Sequence, residues 1–358
     1  MFAGGHANGT LGTSSVVGAA IYKVPAVLNL MVINCEFKNN VSLEAGAGIH
    51  AIFSTYGTGA LTIENSIFEN NLATLGTSIY THTISALVLT VAVRNSLFNG
   101  NKVSNNNPDD GYAGSGGWFR AVANNSTVNA TLTNNTYVNN MDSGTNSDLD
   151  NTGTVGFTKE GLSSISLNAT VNNCIFWNNK VGPTTSAPAI NNFVAAMPSV
   201  VVNNSLSPDN FSTIATKNNT LTANPLFVSA SNFHLTASSP AVNAGDNSFV
   251  NSTTDLSGNA RIVNTTVDLG AYEFDAALSN SSFTSFDEFK VYPNPTYGVL
   301  NISSDEEIQK IVIYSLLGRK VGSATSTQMD ISNLASGVYL LTIETKDGKV
   351  GTKRIVKQ

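Results

Sequence analysis

A chain of 358 residues is long enough for two domains, each with its own core. Charged residues make up only 12% of it, about half the usual share, and Asn, Ser, Thr and Gly take their place; these residues favour turns over helix interiors, which excludes a helix-rich fold. The net charge of −6 is uneven: residues 1–289 hold 9 Lys/Arg against 18 Asp/Glu (−9) and residues 290–358 hold 9 against 6 (+3), so two units of different character are expected, and no basic stripe for nucleic acid runs through the first.

At the N-terminus, MFAGGHANGT has neither the basic start nor the apolar run of a signal peptide. The apolar stretch 24–33 is broken by Pro25 and Asn29 and reads as a strand; no stretch approaches the roughly 20 apolar residues of a transmembrane segment. A repeat then begins. NCEFKNN (34–40), NSIFENN (65–71), NSLFNGN (95–101), NNTYVNN (134–140) and NCIFWNN (173–179) recur, with a degenerate sixth copy, NSLSPDN, at 204–210. The opening residues Asn34, Asn65, Asn95, Asn134, Asn173 and Asn204 are 31, 30, 39, 39 and 31 residues apart. Aliphatic residues stand two positions earlier (Val32, Ile63, Val93, Leu132, Val171, Val202) and small or aliphatic ones four earlier, with mixed residues between, as in a strand buried on one face. Three positions after each Asn comes an aromatic: Phe37, Phe68, Phe98, Tyr137 and Phe176, with Ser207 in the degenerate copy.

One coil of a solenoid per repeat accounts for the pattern. Equivalent residues then stack about 4.8 Å apart as in parallel strands. The aliphatics form inward columns, the aromatics a stacked column, and the opening Asn residues a ladder of side-chain amides at a corner where Asn tolerates left-handed backbone. A second strand is read at 45–51, 75–81 and 114–121, and the spacings of 39 leave room for longer loops at 103–117 and 141–156. Cys35 and Cys174 are then four rungs, about 19 Å, apart, beyond disulfide reach, and are expected to be reduced core residues.

The F-x-x-N element in FKNN, FENN, FNGN, YVNN and FWNN, with the Gly-Ala-Gly-Ile segment, resembles the repeats of polymorphic outer-membrane proteins and the wider right-handed parallel β-helix repeat family. The segments 224–247 and 255–274 look like the closing piece of bacterial surface β-helix proteins, so the resemblance spans about residues 28–274. After a Ser-rich linker at 275–289, KVYPNPTYGVLNI, KIVIYSLLGRKV, MDISNLASGVYLLTIET and KRIVKQ resemble, in order, the blocks of a type A C-terminal sorting domain of the type IX secretion system. Carried over onto this chain, the sorting signal comprises Pro293, Asn294, Pro295, Gly318, Gly337, Tyr339, Lys353 and Lys357. The resemblance implies a small Ig-like β-sandwich, recognised by the secretion machinery at the outer membrane and commonly cleaved there, its cargo released or attached to surface lipopolysaccharide. Independently, Ile311/Ile313 and Val338/Leu340/Thr342 alternate as half-buried strands do. Cargo of this system first crosses the inner membrane by an N-terminal signal, so the sequence is expected to begin partway up the helix. The fold class expected is all-β: a right-handed parallel β-helix over 1–274, a linker over 275–289 and a β-sandwich over 290–358.

For chemistry, Glu64 with Arg94 and Lys38 with Glu69 fall at equivalent positions on adjacent rungs, where cross-rung salt bridges explain them. Asp142, Asp148 and Asp150 offer oxygen ligands, so Ca²⁺ is the one cofactor the sequence admits, although their spacing is not that of a twelve-residue Ca²⁺ loop and solvated turns suit them better, as they suit Asp109–Asp110. His6, His50, His82 and His234 lack metal-ligand spacing. Arg261, Asp268 and Glu273 suit mutual pairing where the solenoid ends. Trp118 and Trp177 are candidates for stacking on sugars, Trp177 the better because it lies at an outward position of its rung. The sequence therefore reads as an exported or cell-surface protein, non-catalytic and adhesin-like or glycan-binding. A polysaccharide lyase or glycoside hydrolase of the same fold is the alternative, resting on fold precedent.

Overall fold

The computed structural model describes residues 2–3, 6–7, 20–23, 29–43, 45–54, 56–104, 113–142, 152–159, 164–181, 185–186, 189–193, 199–263, 265–275, 289–304, 306–315, 319–346 and 350–358. It divides into two compact units, Met1–Asp275 and Ala276–Gln358. The expected loop carboxylates Asp109, Asp110, Asp148 and Asp150, the linker residues 276–288 and Gly318 lie outside the described residues.

The first unit is a parallel β-helix whose coils visit four sheets in turn. Sheet 1 carries the long strands Asn29–Ile33, Gly57–Glu64, Leu87–Arg94, Thr127–Thr133, Ser166–Asn172, Ser199–Asn203 and Thr216–Asn218. Sheet 2 carries Phe2–Ala3, Glu36–Lys38, Ile67–Glu69, Leu97–Asn99, Thr136–Val138 and Ile175–Trp177. Sheet 3 is a stack of two-residue strands such as Val41–Ser42 and Leu72–Ala73, and sheet 4 carries Ile21–Lys23, Ile49–Phe53, Ile79–Thr83, Ala113–Ala121, Thr152–Lys159 and Ile190–Phe193. The register of sheet 1 is unbroken, so Val32, Ile63, Val93, Leu132, Val171 and Val202 sit over one another, all buried. Each such side chain removed from water contributes about 1.5–3 kcal/mol. The 39-residue repeats spend their extra length between sheets 3 and 4, after Val103 and after Asp142, and leave the columns in step.

The aromatic column is continuous. Rings of Phe37, Phe68, Phe98, Tyr137 and Phe176 stack with centroids 4.6, 4.9, 4.5 and 4.6 Å apart and planes within 10° of parallel. That separation is the strand spacing itself, so the backbone ladder sets the stacking. The degenerate copy ends the file: Phe211 meets Phe176 edge-on at 5.7 Å. The rings leave little space beside them; a Cβ on Gly116 would stand 2.7 Å from the Tyr137 ring, which is why the second strand begins with small residues.

The second unit is an antiparallel sandwich. A three-stranded sheet (Phe289–Tyr292, Val299–Ser304, Gln328–Asp330) faces a four-stranded one (Lys320–Ala324, Ile308–Ser315, Gly337–Thr345, Val350–Lys357). Phe289, Leu300, Ile302, Ile311, Ile313, Met329, Leu341, Ile343 and Ile355 form its core. On Gly337–Thr345 the buried parity is Leu341 and Ile343, not Val338, Leu340 and Thr342. The strand is apolar on both parities, so alternation alone does not fix which face turns inward.

Candidate functional site

The repeat motif places two left-handed corners around each sheet 2 strand. Asn34, Asn65, Asn95, Asn134, Asn173 and Asn204 all take positive φ at the first corner, and Asn39, Asn70, Gly100, Asn139 and Asn178 at the second. The opening Asn residues do not form the expected amide ladder; the last Asn of each motif does. The Nδ2 groups of Asn40, Asn71, Asn101 and Asn140 donate to Oδ1 of Asn71, Asn101, Asn140 and Asn179 at 2.9–3.1 Å. Each of those Oδ1 atoms also accepts the backbone N–H of the Asn one coil earlier. The ladder residue is thus the one that follows the second left-handed corner.

A second polar column runs through the residue after each opening Asn. Backbone N–H groups of Cys35, Ser66, Ser96, Asn135 and Cys174 each donate to the next coil's Ser66 Oγ, Ser96 Oγ, Asn135 Oδ1, Cys174 Sγ and Ser205 Oγ. Both cysteines are free; Cys174 is buried, its thiol pushed up to about 12 by burial, whereas Cys35 is only half-buried. Cys174 is thus the reduced core residue expected, Cys35 packs half-buried against the same core, and both also belong to a hydrogen-bonded column.

The opening Asn residues instead hold the closing segment. Asn95 donates to Ser252 Oγ and the Thr254 carbonyl, Asn134 to the Asp268 carbonyl, Asn173 to the Asp246 carbonyl and Asn204 to the Ala244 carbonyl. Residues 224–274 therefore lie lengthwise along the solenoid's side as a strap; they do not cap its end. The strap covers the outward residues of sheet 2: Leu97 and Val138 pack with Phe233, and Ile175 with Leu235, Ala241 and Leu269. Gly270 makes its closest approach, where a Cβ would stand 2.6 Å from Thr136 Oγ1, at a φ of +88°.

Arg261, Asp268 and Glu273 meet inside the strap, beside the third and fourth coils. Arg261 pairs with Glu273 and donates to Asn95 Oδ1 and to the carbonyls of Asp268 and Gly270. Asp268 accepts backbone N–H groups from Asn243 and Phe274, and Asp255 from Ser257, Asn259 and Glu273. Burial pushes the Glu273 carboxyl up to about 7 against the pull of Arg261. Three carboxylates thus converge, but with exposures of 1% (Asp255), 2% (Asp268) and 4% (Glu273) they are tied into backbone amides and open on no groove.

The ion pairs expected across rungs are present, Arg94–Glu64 at 3.0 Å and Lys38–Glu69 at 3.4 Å. Trp118 is not a sugar platform: it is 1% exposed, packed with Tyr80, and its Nε1–H donates to Thr158 Oγ1. His50 and His82 share that outer face of sheet 4 with ring centroids 5.9 Å apart. Burial pushes them down to about 4 and about 3. His234 stands elsewhere, on the strap, with its Nδ1–H donating to Asn232 Oδ1 and its Nε2 hydrogen-bonded to the Ser257 hydroxyl. Among the described residues no group of three His, Cys, Asp or Glu is placed to hold a metal ion, and Asp142 is buried.

Of the two tryptophans, Trp177 is the one that remains reachable. It is half-buried against Phe227 and Phe233 at the margin of the strap, and it walls an open cleft of about 290 Å³ with Asn139, Asn178, Asn224 and Leu226. Asn178 donates to Asn139 Oδ1 at 2.6 Å and Asn139 to Asn99 Oδ1 at 3.1 Å, so the amides beside the indole are pre-ordered. The cleft offers one aromatic surface and several uncharged donors and acceptors. Pockets for drug-sized molecules run from about 300 Å³ upward, so this one stands at the lower limit of that range.

In the second unit, Asn294 accepts the Val356 N–H and donates to the Arg354 carbonyl, joining the Pro293–Asn294–Pro295 turn to the last strand, which pairs with Gly337–Thr345. Tyr339 packs on the core and donates to the Ala335 carbonyl. Lys353 lies 5.2 Å over the Phe289 ring, and Lys357, 8% exposed, donates to the Gln358 carbonyl. Most residues of the expected sorting signal therefore converge on the last strand of one sheet.

No curated protein matches the chain, and no solved structure matches it. The secretion system C-terminal sorting domain family matches residues 290–358. Residues 290–358 are the sorting domain of a type IX secretion cargo, and the protein is delivered to the cell surface or released beyond it.

Proposed function

We propose that this exported protein is a non-catalytic, adhesin-like glycan binder that takes a sugar in the cleft beside Trp177. The observation that carries the reading is an accessible indole set next to a pre-ordered line of uncharged amides, Asn178 on Asn139 on Asn99. Pyranose rings present apolar C–H faces to an aromatic and hydroxyls to amides, so this pairing suits them. The sorting domain supplies the address, with the secretion machinery as its partner and surface lipopolysaccharide as the anchor on which the mature protein is retained.

Calorimetric titration with a panel of soluble oligosaccharides tests the cleft. Trp177→Ala should weaken the best ligand at least tenfold with unchanged thermal unfolding, and equal affinity in parent and variant would remove the site. Incubation with pectin, alginate and glycosaminoglycans, with and without Ca²⁺, should yield no unsaturated product and no new reducing ends; either would overturn the non-catalytic assignment.

A further inference from the structure

The outer face of sheet 1 is composed differently from an ordinary solvated sheet. Thr90, Asn129 and Asn168 stand in one outward file and Thr62, Thr131 and Thr170 in the next, in unbroken register. Neighbours within a file are about 4.8 Å apart and the files about 6.5–7 Å apart. Asn168 Nδ2 donates to Asn129 Oδ1 at 3.0 Å and Thr170 Oγ1 to Thr131 Oγ1 at 3.5 Å, so the side chains brace one another and keep further donors and acceptors for a ligand. Thr90, Thr131 and Asn168 are exposed. Soluble surfaces ordinarily carry about 25–35% charged residues. Among the described residues of this face only Glu64 and Arg94 are charged, and they neutralise each other at 3.0 Å. Solubility alone does not call for a grid so regular and so free of charge.

We infer that this face is a second binding surface, for an extended uncharged polysaccharide lying along the coil axis. The charge balance selects the ligand: a polyanion finds no cation here beyond one already paired, and a neutral polymer needs no counter-charge and can exchange its hydration for hydrogen bonds to amides and hydroxyls. The register selects an extended chain, because Thr90, Asn129 and Asn168 follow one another at the strand spacing and Thr131 and Thr170 do so beside them, with Ala60 and Ala92 as the gaps. Both files are fixed by the backbone ladder and by lateral hydrogen bonds, so little side-chain entropy is lost on contact. The methyl groups of the threonines and the small side chain of Ala92 between Thr62 and Thr131 supply shallow apolar ground for ring faces. This surface is separate from the Trp177 cleft and stands without it.

Co-sedimentation with insoluble microcrystalline cellulose and chitin, beside a carboxylated cellulose, tests the inference on the full chain. The parent should sediment with at least one uncharged polymer and more weakly with the carboxylated one. Thr90→Lys/Thr131→Lys should bind at least tenfold more weakly than the parent. Asn129→Ala/Asn168→Ala, which adds no charge, should weaken binding about fivefold and serves if the lysine variant does not fold. Parent-like binding by a correctly folded face variant, no binding of the parent to either uncharged polymer, or a preference for the carboxylated one would each overturn it. Failure of the cleft reads out separately, as Trp177→Ala leaving soluble oligosaccharide affinity unchanged.

Discussion

Asn101 donates from Nδ2 to the Phe68 carbonyl at 2.9 Å and to Asn140 Oδ1 at 3.1 Å, and its Oδ1 accepts both the backbone N–H and the Nδ2 of Asn71. Asn101→Ala strands these buried partners at a cost of about 3–6 kcal/mol, whereas Asn34→Ala, at an exposed corner, should cost about 1 kcal/mol; denaturant midpoints of the two variants measure the contrast. The sequence shows that Asn recurs but leaves open which Asn does what, since a left-handed corner and an amide ladder select the same residue type. One signal separates them: in the third motif the pair reads Gly100–Asn101, and Gly marks the left-handed position, leaving Asn101 for the ladder. His50 supplies a pH prediction. Its folded value, pushed down to about 4 by burial, lies below the ordinary 6.5, so the unfolded chain binds the proton first and stability present above pH 6.5 is lost as pH falls toward 4. His50→Phe keeps a ring against Tyr22 and Tyr80, whose centroids lie 5.3 and 4.8 Å away. Between pH 7 and pH 4 the variant should be spared on the order of 2–3 kcal/mol of the parent's loss, read from unfolding curves at each pH.

The strap shows how an element hides in a sequence without periodicity. Its path is written on the surface it covers: along the outward file of sheet 2, Lys38 and Glu69 give way to Asn99, Val138 and Trp177, and in the next file Glu36 gives way to Ile67, Leu97, Thr136 and Ile175. Outward apolar residues on a solenoid demand a cover. Reading the files downward thus gives where the cover starts, but the hydrogen bonds from Asn95, Asn134, Asn173 and Asn204 that hold it are indistinguishable in sequence from the expected ladder. Arg261→Ala leaves Glu273 buried without its cation, at a cost of about 3–5 kcal/mol. Hydrogen exchange should locate the loss in 244–274 first, with the aromatic column still protected; uniform deprotection of the coils would show that the strap has no separate stability.

At the scale of the molecule, the all-β class and the stacked aromatic file follow from repeat spacing, because only a coil brings residues 30 to 39 apart into register. The address of the protein is carried by 290–358, so when both are fused behind an inner-membrane export signal in a host that has the type IX system, a chain ending at 289 should remain inside the envelope while the chain ending at 358 reaches the surface or medium; fractionation and blotting distinguish the two. The two long repeats have a further consequence. Both place their surplus at the same corner, after Val103 and after Asp142; sheets 1 and 2 resume on the next rung with their pairing intact, and sheet 4 is in register from Gly117 and Val155 onward, after an irregularity between Gly114 and Gly117. That corner is a port in the scaffold: a foreign peptide spliced there would be carried outward on a fixed rung, and two such ports on successive rungs would hold two grafts side by side at a distance set by the backbone ladder alone.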